Sequence, residues 1–107
     1  MTDFESFVRY SDLLRIYGNL LSKTQKEMLE DYYLCNLSFS EIAENRKISR
    51  SAVEDAIKKG KRKLDSFENE IGSLKIANDI HRISNDCGDK KTADELKDVE
   101  RALKHGI

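Results

Sequence analysis

The sequence contains no proline and no tryptophan, and only five glycines interrupt its 107 residues. Proline and glycine are poor residues for helix interiors, and runs of β-branched residues, which favour strands, are also few. These absences favour an all-helical protein. At this length the chain has room for one compact domain, or for a small domain with an extension.

Disulfide, metal and membrane functions find no support in the residues. The two cysteines, Cys35 and Cys87, are too few for a disulfide framework or a cysteine-based zinc site. Neither His81 nor His105 has metal-ligand spacing to a cysteine, so we expect no metal and no cofactor. No amino-terminal apolar segment or long apolar run predicts secretion or membrane insertion. We therefore expect a cytoplasmic protein.

Catalytic motifs are absent from the sequence as well. It has no glycine-rich phosphate loop, no His-Glu-x-x-His pair and no serine or cysteine in a nucleophile motif. The aspartates and glutamates are spread over what we predict to be exposed helix faces. We therefore expect that the protein is not an enzyme.

What the sequence does have is charge, and it is unevenly distributed. Charged residues make up 36% of the chain, yet the formal net charge is -1. Residues 46–63 hold eight Lys or Arg against two acids, a local charge of +6, whereas the first 38 residues hold four against six, or -2. A basic segment of this kind can face nucleic-acid phosphates. For a lysine run alone, a solvated helix face is the more common explanation.

The segment 39–57 predicts two short helices joined by a tight turn, a helix-turn-helix. Ser38 can cap the first helix, and Glu41, three residues later, can complete a capping box. Ser49 can cap the second helix. The apolar residues predicted to pack the two helices together are Ile42, Ala43, Ile48, Val53, Ala56 and Ile57.

Two further helices are predicted before this motif. The first, over residues 4–21, has one apolar stripe at helical spacing, made of Tyr10, Leu13, Leu14, Tyr17, Leu20 and Leu21. Ser22 and Gln25 have capping-box spacing for a second helix that runs to about Leu34.

Two adjacent tyrosines in the second helix, Tyr32 and Tyr33, have two possible roles. Aromatic rings can stack on nucleic-acid bases. Tyrosines at helical spacing beside Leu and Met are more often part of a core. We therefore predict that both tyrosines pack in the interior.

The second helix of the motif is predicted to continue well beyond it. Apolar residues and one glycine recur at alternating spacings of four and three, at Val53, Ile57, Gly60, Leu64, Phe67 and Ile71. This heptad seam predicts a fourth helix of about six turns. Gly60 costs roughly 1 kcal/mol of helix propensity relative to alanine, which close approach of the first or second helix would offset.

The C-terminal third predicts two more helices. Gly72 and Ser73 have the pattern of a helix end followed by the N-cap of a fifth helix. The apolar residues of that helix are Ile76, Ile80, Ile83 and Cys87. Thr92 and Glu95 predict another capping box, opening a last helix that Gly106 closes. The apolar residues of the last helix are Leu96, Val99 and Leu103. Stripes this narrow suit a helical hairpin or a subunit contact, so we expect a homodimer, formed through the long fourth helix or through the C-terminal helices.

The candidate ligand-binding surface lies at the turn and along the second helix of the motif. The candidate nucleic-acid-binding residues are Arg46, Lys47, Ser49, Arg50, Ser51, Lys58, Lys59, Lys61 and Arg62. Arg50 can reach a guanine edge or a phosphate. Glu54 and Asp55 on the same face oppose insertion into a groove, because carboxylates repel phosphates. Either that face is tilted away from a groove, or the nucleic acid is not duplex DNA, or the motif contacts protein.

The motif resembles the helix-turn-helix of sigma factor region 4, over residues 39–64. A longer stretch, residues 10–72, resembles the YlxM family of small bacterial DNA-binding proteins. The positions that carry the resemblance are Leu13, Leu14, Tyr17, Leu20, Leu21, Gln25, Tyr32, Tyr33, Leu37, Ser38, Glu41, Ile42, Ala43, Ser49, Arg50, Ala52, Val53, Asp55, Ile57 and Leu64. The positions that depart from the usual pattern are Arg46, Lys47, Ser51 and Glu54.

The resemblance implies an all-α helix-turn-helix bundle like sigma factor region 4, here with a long fourth helix and a C-terminal helical hairpin. We predict a helix-turn-helix domain at 1–72 and a C-terminal helical extension at 73–107. The resemblance also implies a DNA- or RNA-binding regulatory role in the signal recognition particle pathway, since genes of this family tend to sit beside those of the particle GTPase and its receptor. The alternative is an interaction module that binds the particle GTPase or RNA without sequence-specific DNA binding.

Overall fold

The structure, a computed structural model, describes residues 3–107, and every regular element in this range is helical. The elements are α1 (Asp3–Tyr17), a short 3₁₀ helix (Gly18–Leu20), α2 (Lys23–Tyr33), α3 (Phe39–Arg46), α4 (Arg50–Ile71), α5 (Ser73–Asp86) and α6 (Lys90–His105). The prediction of an all-α helix-turn-helix bundle with a long fourth helix and a C-terminal hairpin is confirmed. Within the described range, no helix is long and apolar enough to cross a membrane.

The long helix α4 is the centre of the fold, because α1, α2 and α3 all pack against it. The large side chains that are almost completely buried are Tyr17, Leu13, Ile16, Leu29, Ile42, Leu64 and Val53. Burial of one such aliphatic side chain contributes roughly 1.5–3 kcal/mol, so this cluster holds the first four helices together. The predicted seam of α4 is buried from Val53 to Leu64, whereas Ile71 is 44% exposed because the end of α4 projects beyond the cluster.

The end of α1 differs from the prediction. The α-helix stops at Tyr17 and the chain continues as a 3₁₀ turn, which rotates the following side chains away from the α-helical stripe. Leu20, predicted to be buried, is therefore 43% exposed. Ile16, which was not in the predicted stripe, is 1% exposed.

Gly60 lies where α2 crosses α4. A Cβ atom at position 60 would lie 2.6 Å from Leu29 Cδ1, closer than carbon atoms pack, so no larger residue fits without movement of Leu29. Leu29 itself is completely buried. The prediction that another helix approaches Gly60 closely is confirmed, and that helix is α2.

A partly buried polar junction joins α1, α4 and α5. The Tyr17 hydroxyl donates to Glu68 Oε1 at 2.7 Å and accepts from Ser73 N at 3.1 Å. Glu68 also accepts from Leu74 N and Lys75 N, each at 3.1 Å. Burial, followed by the hydrogen bond to Glu68, raises the pKa of Tyr17. The Glu68 side chain thus satisfies the free N–H groups that begin α5.

We expect Tyr17→Phe to lower the free energy of unfolding by about 1–2 kcal/mol, because it removes from a completely buried side chain the hydroxyl that accepts from Ser73 N and donates to Glu68. Tyr10→Phe is the matched control, since Tyr10 donates to Asp65 at 2.8 Å from a partly exposed position. Urea unfolding of both variants measures the difference. Equal losses for the two variants would contradict a special role for the junction.

Three predicted caps form differently. Ser22 accepts from Gln25 N at 3.2 Å, but the Gln25 side chain accepts from Lys63 instead of closing a capping box. α5 is preceded by Gly72 in a left-handed conformation, and Ser73 lies inside the helix. The predicted box at Thr92 is wrong as well. The cap of α6 is Asp89, whose carboxylate accepts from Thr92 N and Oγ1.

The C-terminal hairpin is built on small residues. α5 and α6 pack mainly on each other, and the buried residues of the hairpin outside the main core are Ala77, Ser84 and Ala93, whereas Leu74 belongs to the core cluster of the first four helices. Ile76, Ile83 and Val99 were predicted to form the packing stripes but are 47%, 51% and 49% exposed. Small residues allow the two backbones to approach closely, so Ile76, Ile83 and Val99 lie outside the seam, while the predicted stripe residues Ile80, Leu96 and Leu103 are half-buried.

The end of the chain returns to α1. Ile107 N donates to Ile16 O at 3.0 Å, and Asn19 Nδ2 donates to Ile107 O at 3.3 Å. Gly106 has a φ of 111°, and a Cβ there would lie 2.5 Å from Arg15 O, so only glycine fits. The hairpin is therefore anchored to the first helix at both of its ends.

Candidate nucleic-acid interface

The helix-turn-helix consists of α3, the turn 47–49 and the first half of α4. Ser38 Oγ accepts from Glu41 N at 3.1 Å, and Glu41 Oε1 accepts from Ser38 N at 3.0 Å. These hydrogen bonds lower the pKa of Glu41. Ser49 Oγ accepts from Ala52 N at 3.1 Å and begins α4. The predicted capping box and cap are confirmed, so local sequence defines both helix starts.

Packing inside the motif follows the prediction with one exception. The residues of the motif that are buried between α3, α4 and their neighbours are Ile42, Ala43, Val53 and Ile57. Ile48 was expected among them but is 37% exposed. The chain is in the turn between α3 and α4 at this position, which leaves the Ile48 side chain partly open to solvent.

Arg46, a candidate ligand contact, is held by acids of α2. Its Nε and Nη2 donate to Asp31 Oδ2 at 2.8 Å, and its Nη1 to Glu27 Oε2 at 3.2 Å. The hydrogen bond to Asp31 raises the pKa of Arg46, and its side chain is 28% exposed. This pair of contacts fixes the end of α3 against α2, so Arg46 sets the position of the turn.

Lys47 occupies the sharpest point of the turn. Its φ of 57° and ψ of 44° are left-handed, a conformation that costs residues other than glycine roughly 1–2 kcal/mol. The Lys47 side chain is exposed. A residue with a long basic side chain therefore stands where glycine would be the relaxed choice.

We expect Lys47→Gly to raise the free energy of unfolding by up to about 1 kcal/mol, because it relieves the left-handed backbone. Urea unfolding measures this effect. Lys47→Ala is the control, which removes the charge but keeps the backbone cost. A loss of stability in Lys47→Gly would contradict this description of the turn.

The exposed face of α4 lies opposite to its buried seam. At 100° per residue, the residues on the side away from Val53, Ile57 and Leu64 are centred on positions 51, 55, 58 and 62. These four residues, Ser51, Asp55, Lys58 and Arg62, are exposed or nearly so in the structure. We call Lys58, Arg62 and Lys47 the basic face.

The two acids that oppose nucleic-acid binding are paired within α4. Glu54 Oε1 lies 3.2 Å from Arg50 Nε, and Asp55 Oδ2 lies 3.0 Å from Lys59 Nζ. Both pairs join residues four apart on one helix, a spacing that allows a partial neutralisation of charge. The carboxylates therefore repel an approaching phosphate less than their number predicts.

The remaining cations of the segment point to different sides of α4. Lys61 Nζ lies 4.6 Å from the centroid of the Tyr10 ring, on the side of α1. Lys63 Nζ donates to Gln25 Oε1 at 3.1 Å, on the side of α2. Among the described residues, no ion pair involves Lys47, Lys58 or Arg62. The cations of the basic segment that lie at the turn or on the outer face of α4 without an ion pair within residues 3–107 are therefore Lys47, Lys58 and Arg62.

Some of this arrangement was visible in the sequence and some was not. The Arg50–Glu54 and Asp55–Lys59 pairs have the four-residue spacing of helical ion pairs, which could have been predicted. The pairing of Arg46 with Glu27 and Asp31 depends on how α2 packs against α3, and its 15- and 19-residue separations gave no signal. In the described part of the chain, no group of three or more His, Cys, Asp or Glu residues could hold a metal.

Residues 4–104 match a family described as "Putative helix-turn-helix protein, YlxM / p13 like", UPF0122. The chain belongs to the UPF0122 family. The match includes the hairpin, which the resemblance over residues 10–72 did not reach. The description names a helix-turn-helix protein and no enzymatic activity, and the predicted YlxM family is confirmed.

Curated UPF0122 proteins are similar over most of their length. One from Malacoplasma penetrans is 41% identical over 88 residues, 82% of this chain and 82% of the relative. One from Fusobacterium nucleatum is 37% identical over 95 residues, 89% of this chain and 92% of the relative. No solved structure matches the chain. The likeness to sigma factor region 4 therefore stays a resemblance of sequence.

Proposed function

We propose that this UPF0122 protein binds nucleic acid, with duplex DNA as the first candidate, through the basic face. The observation that carries the proposal is the pair Lys58 and Arg62. They lie one turn apart on the side of α4 away from the core, in the second helix of a helix-turn-helix, without ion-pair partners in the described chain. Helices of this kind enter or lie along the major groove in other proteins.

The contacts we propose are mainly to phosphates. Lys47, Lys58 and Arg62 are free to pair with phosphate oxygens, and Ser51 can donate a hydrogen bond from the same surface. Arg50 is engaged by Glu54 through Nε, so it is less available for reading a base. Lys59 forms an ion pair with Asp55. Binding that depends on phosphates is strong at low salt and weakly selective for sequence.

The other candidate residues have supporting roles in this proposal. Ser49 caps α4 by accepting a hydrogen bond from Ala52 N with its side chain. Arg46 positions the turn through its two acids, and Lys61 lies on the flank toward α1. Direct phosphate contact by Arg46 would require it to leave Asp31 and Glu27.

A titration of fluorescently labelled duplex DNA of about twenty base pairs, at low and at moderate salt, tests this proposal. We expect binding at low salt and an affinity that falls steeply as salt rises, with nearly equal affinity for unrelated sequences. If the protein fails to bind any duplex at low salt, the basic face is not a DNA-binding surface.

We also propose a regulatory role in the cytoplasm, in the signal recognition particle pathway, which rests on the family resemblance. The second candidate function is an interaction module for the particle GTPase. The observation that favours it is the pairing of Arg50 and Lys59 with acids, which leaves α4 with a mixed surface. Parallel titrations with the GTPase and with the particle's small RNA separate the two candidates. Micromolar binding to the GTPase together with no nucleic-acid binding would favour the module.

We further propose that the hairpin forms a homodimer while residues 1–72 bind the ligand. The large apolar residues exposed on its surface are Ile76, Ile83 and Val99, and the fully buried residues between its helices have small side chains. Two such faces packed together would form a four-helix bundle. Sedimentation equilibrium of the wild type and of Ile83→Glu tests this. A wild type that stays monomeric at all concentrations would overturn the dimer.

A further inference from the structure

The paired tyrosines of α2 have different environments. Tyr33 is 6% exposed and belongs to the core. Tyr32 is only partly buried and lines two adjoining surface depressions of about 390 and 200 Å³. Phe7 lines both depressions as well, so they form one continuous surface. The prediction that both tyrosines are core residues is confirmed for Tyr33, whereas Tyr32 packs against the core cluster with part of its surface exposed.

The rings in these depressions are held in place by one another. The Tyr32 and Phe39 centroids lie 4.9 Å apart with the ring planes inclined by 31°. Tyr33 meets Tyr32 edge-on, with the centroids 4.8 Å apart and the planes at 90°. Aromatic contacts of this kind restrict ring motion. A flat ligand would therefore meet a pre-ordered aromatic surface.

A cation stands in each depression. Arg50 lines the larger one, together with Phe39, and Lys61 lines the smaller one. Both project from the same side of α4, because eleven residues amount to slightly more than three full turns, and they are separated by about 16 Å of helix rise. Arg50 is 65% exposed and uses only Nε for Glu54. We call the surface from Arg50 through Tyr32 to Lys61 the aromatic groove.

One acid, Glu41, also lines the larger depression. Its Oε1 already accepts from Ser38 N in the capping box. A carboxylate at this place disfavours a phosphate but can accept from an exocyclic amino group, as of cytosine. The groove therefore offers aromatic faces and an acceptor for a base between two cations for phosphates.

We propose that the aromatic groove binds unpaired nucleotides of a single-stranded nucleic acid, with bases against Tyr32 and Phe39 and phosphates at Arg50 and Lys61. Bases reach a protein ring only when they are unstacked from their own neighbours, which excludes intact duplex as the occupant. The proposal rests on nucleic-acid binding as proposed above and adds a second surface, on the side of α4 next to the basic face. Loops and single-stranded ends both present this chemistry.

Titrations with three labelled probes test the groove in the full-length protein. The probes are an oligodeoxycytidylate of about eight nucleotides, its ribonucleotide counterpart, and an abasic chain with the same number of phosphates. We expect both base-containing probes to bind at least about 10-fold more tightly than the abasic chain, because stacking on a ring adds to phosphate contact. A ribonucleotide preference would identify RNA as the source. Equal affinity for all three probes would overturn the proposal.

Tyr32→Leu keeps an apolar side chain but removes the ring face, and we expect it to weaken oligodeoxycytidylate binding about 10-fold. Phe4→Leu is the matched control, since Phe4 is 75% exposed in a different depression. Thermal unfolding confirms that both variants fold. Unchanged binding by Tyr32→Leu, or an equal loss in Phe4→Leu, would overturn the groove.

The duplex titration distinguishes failure of the groove from failure of the basic face. We expect Tyr32→Leu to bind duplex DNA like the wild type, and Lys58→Ala with Arg62→Ala to bind duplex DNA about 10-fold or more weakly. A protein that binds duplex but shows no base-dependent affinity has a basic face and no functional groove. A protein that binds the oligonucleotide and not duplex retains the groove while the proposal for the basic face fails.

Discussion

Leu29→Ala is expected to lower the free energy of unfolding by about 2–5 kcal/mol, the range for a large core residue whose removal leaves a cavity. Leu29 is completely buried where α2 crosses α4. For a domain of this size such a loss is a large part of the total stability, which is roughly 5–15 kcal/mol. Urea unfolding followed by circular dichroism measures it. A loss well below this range would show that α2 relaxes into the space.

The contact between Leu29 and Gly60 also predicts that Gly60→Ala changes the stability in opposite directions in the wild type and in Leu29→Ala. Gly60→Ala in the wild type introduces a Cβ that would lie 2.6 Å from Leu29 Cδ1, so we expect a net loss of stability despite better helix propensity. In the Leu29→Ala background the space is open. There, Gly60→Ala should stabilise the protein by about 1 kcal/mol, the propensity difference between the two residues.

A double-mutant cycle on Leu29 and Gly60 measures this coupling directly. Additive losses, with Gly60→Ala destabilising in both backgrounds, would mean that the glycine serves some purpose other than close approach of α2. Gly88 provides a control, because nothing lies within 4 Å of a Cβ built there. Gly88→Ala should be insensitive to Leu29.

The second large effect concerns ligand binding. Lys58→Ala with Arg62→Ala is expected to weaken duplex DNA binding about 10-fold or more near 0.1 M salt. Each phosphate contact releases counterions from the DNA, and this favourable contribution is lost with the contact. The slope of log affinity against log salt should become shallower by about two, one for each contact. Neither side chain is buried, so stability should be unchanged.

The hairpin supplies a matched control for this experiment. Lys97 and Arg101 are also exposed, basic and four residues apart, but they lie on α6. Lys97→Ala with Arg101→Ala removes the same charge from the protein and should leave both affinity and salt slope at wild-type values. If the two double variants lose affinity equally, the effect is one of net charge and not of the basic face.

The order and type of the helices could be predicted from the sequence because those signals are local. Ser38 with Glu41, and Ser49, define helix starts over three or four residues, and the structure confirms them. The apolar seam of α4, which includes Gly60, has alternating spacings of four and three residues over its whole length, and this pattern indicates one long helix. Where a prediction was wrong, as at Thr92, a stronger cap stood nearby: the carboxylate of Asp89 begins α6 one turn earlier.

Long-range partners could not be predicted. Nothing in the sequence indicates that Glu68 caps α5 through two backbone N–H groups, or that Tyr17 joins this contact, since the three elements meet only in the tertiary fold. The same is true of Arg46, whose acids lie on another helix. Arg46, which was predicted from the sequence to contact a ligand, thus forms its contacts within the protein itself.

The hairpin shows a related limit of periodicity. The heptad spacing of Ile76 and Ile83 predicts an apolar stripe, and the stripe exists, but the helix partner meets the adjacent face through Ala77 and Ser84. Spacing defines which residues share a face and not which of two neighbouring faces is covered. Small residues decide the outcome here, because they permit the closer backbone approach.

Amide chemical-shift mapping during titration with duplex DNA tests the central claim most directly, because it locates the contact surface on the wild-type protein without substitutions. We predict that the largest shifts occur from Lys47 to Ser51 and around Lys58 and Arg62, with small changes in α6. Shifts that concentrate in α5 and α6 and leave the turn and α4 unchanged would contradict the assignment of the basic face as the nucleic-acid-binding surface.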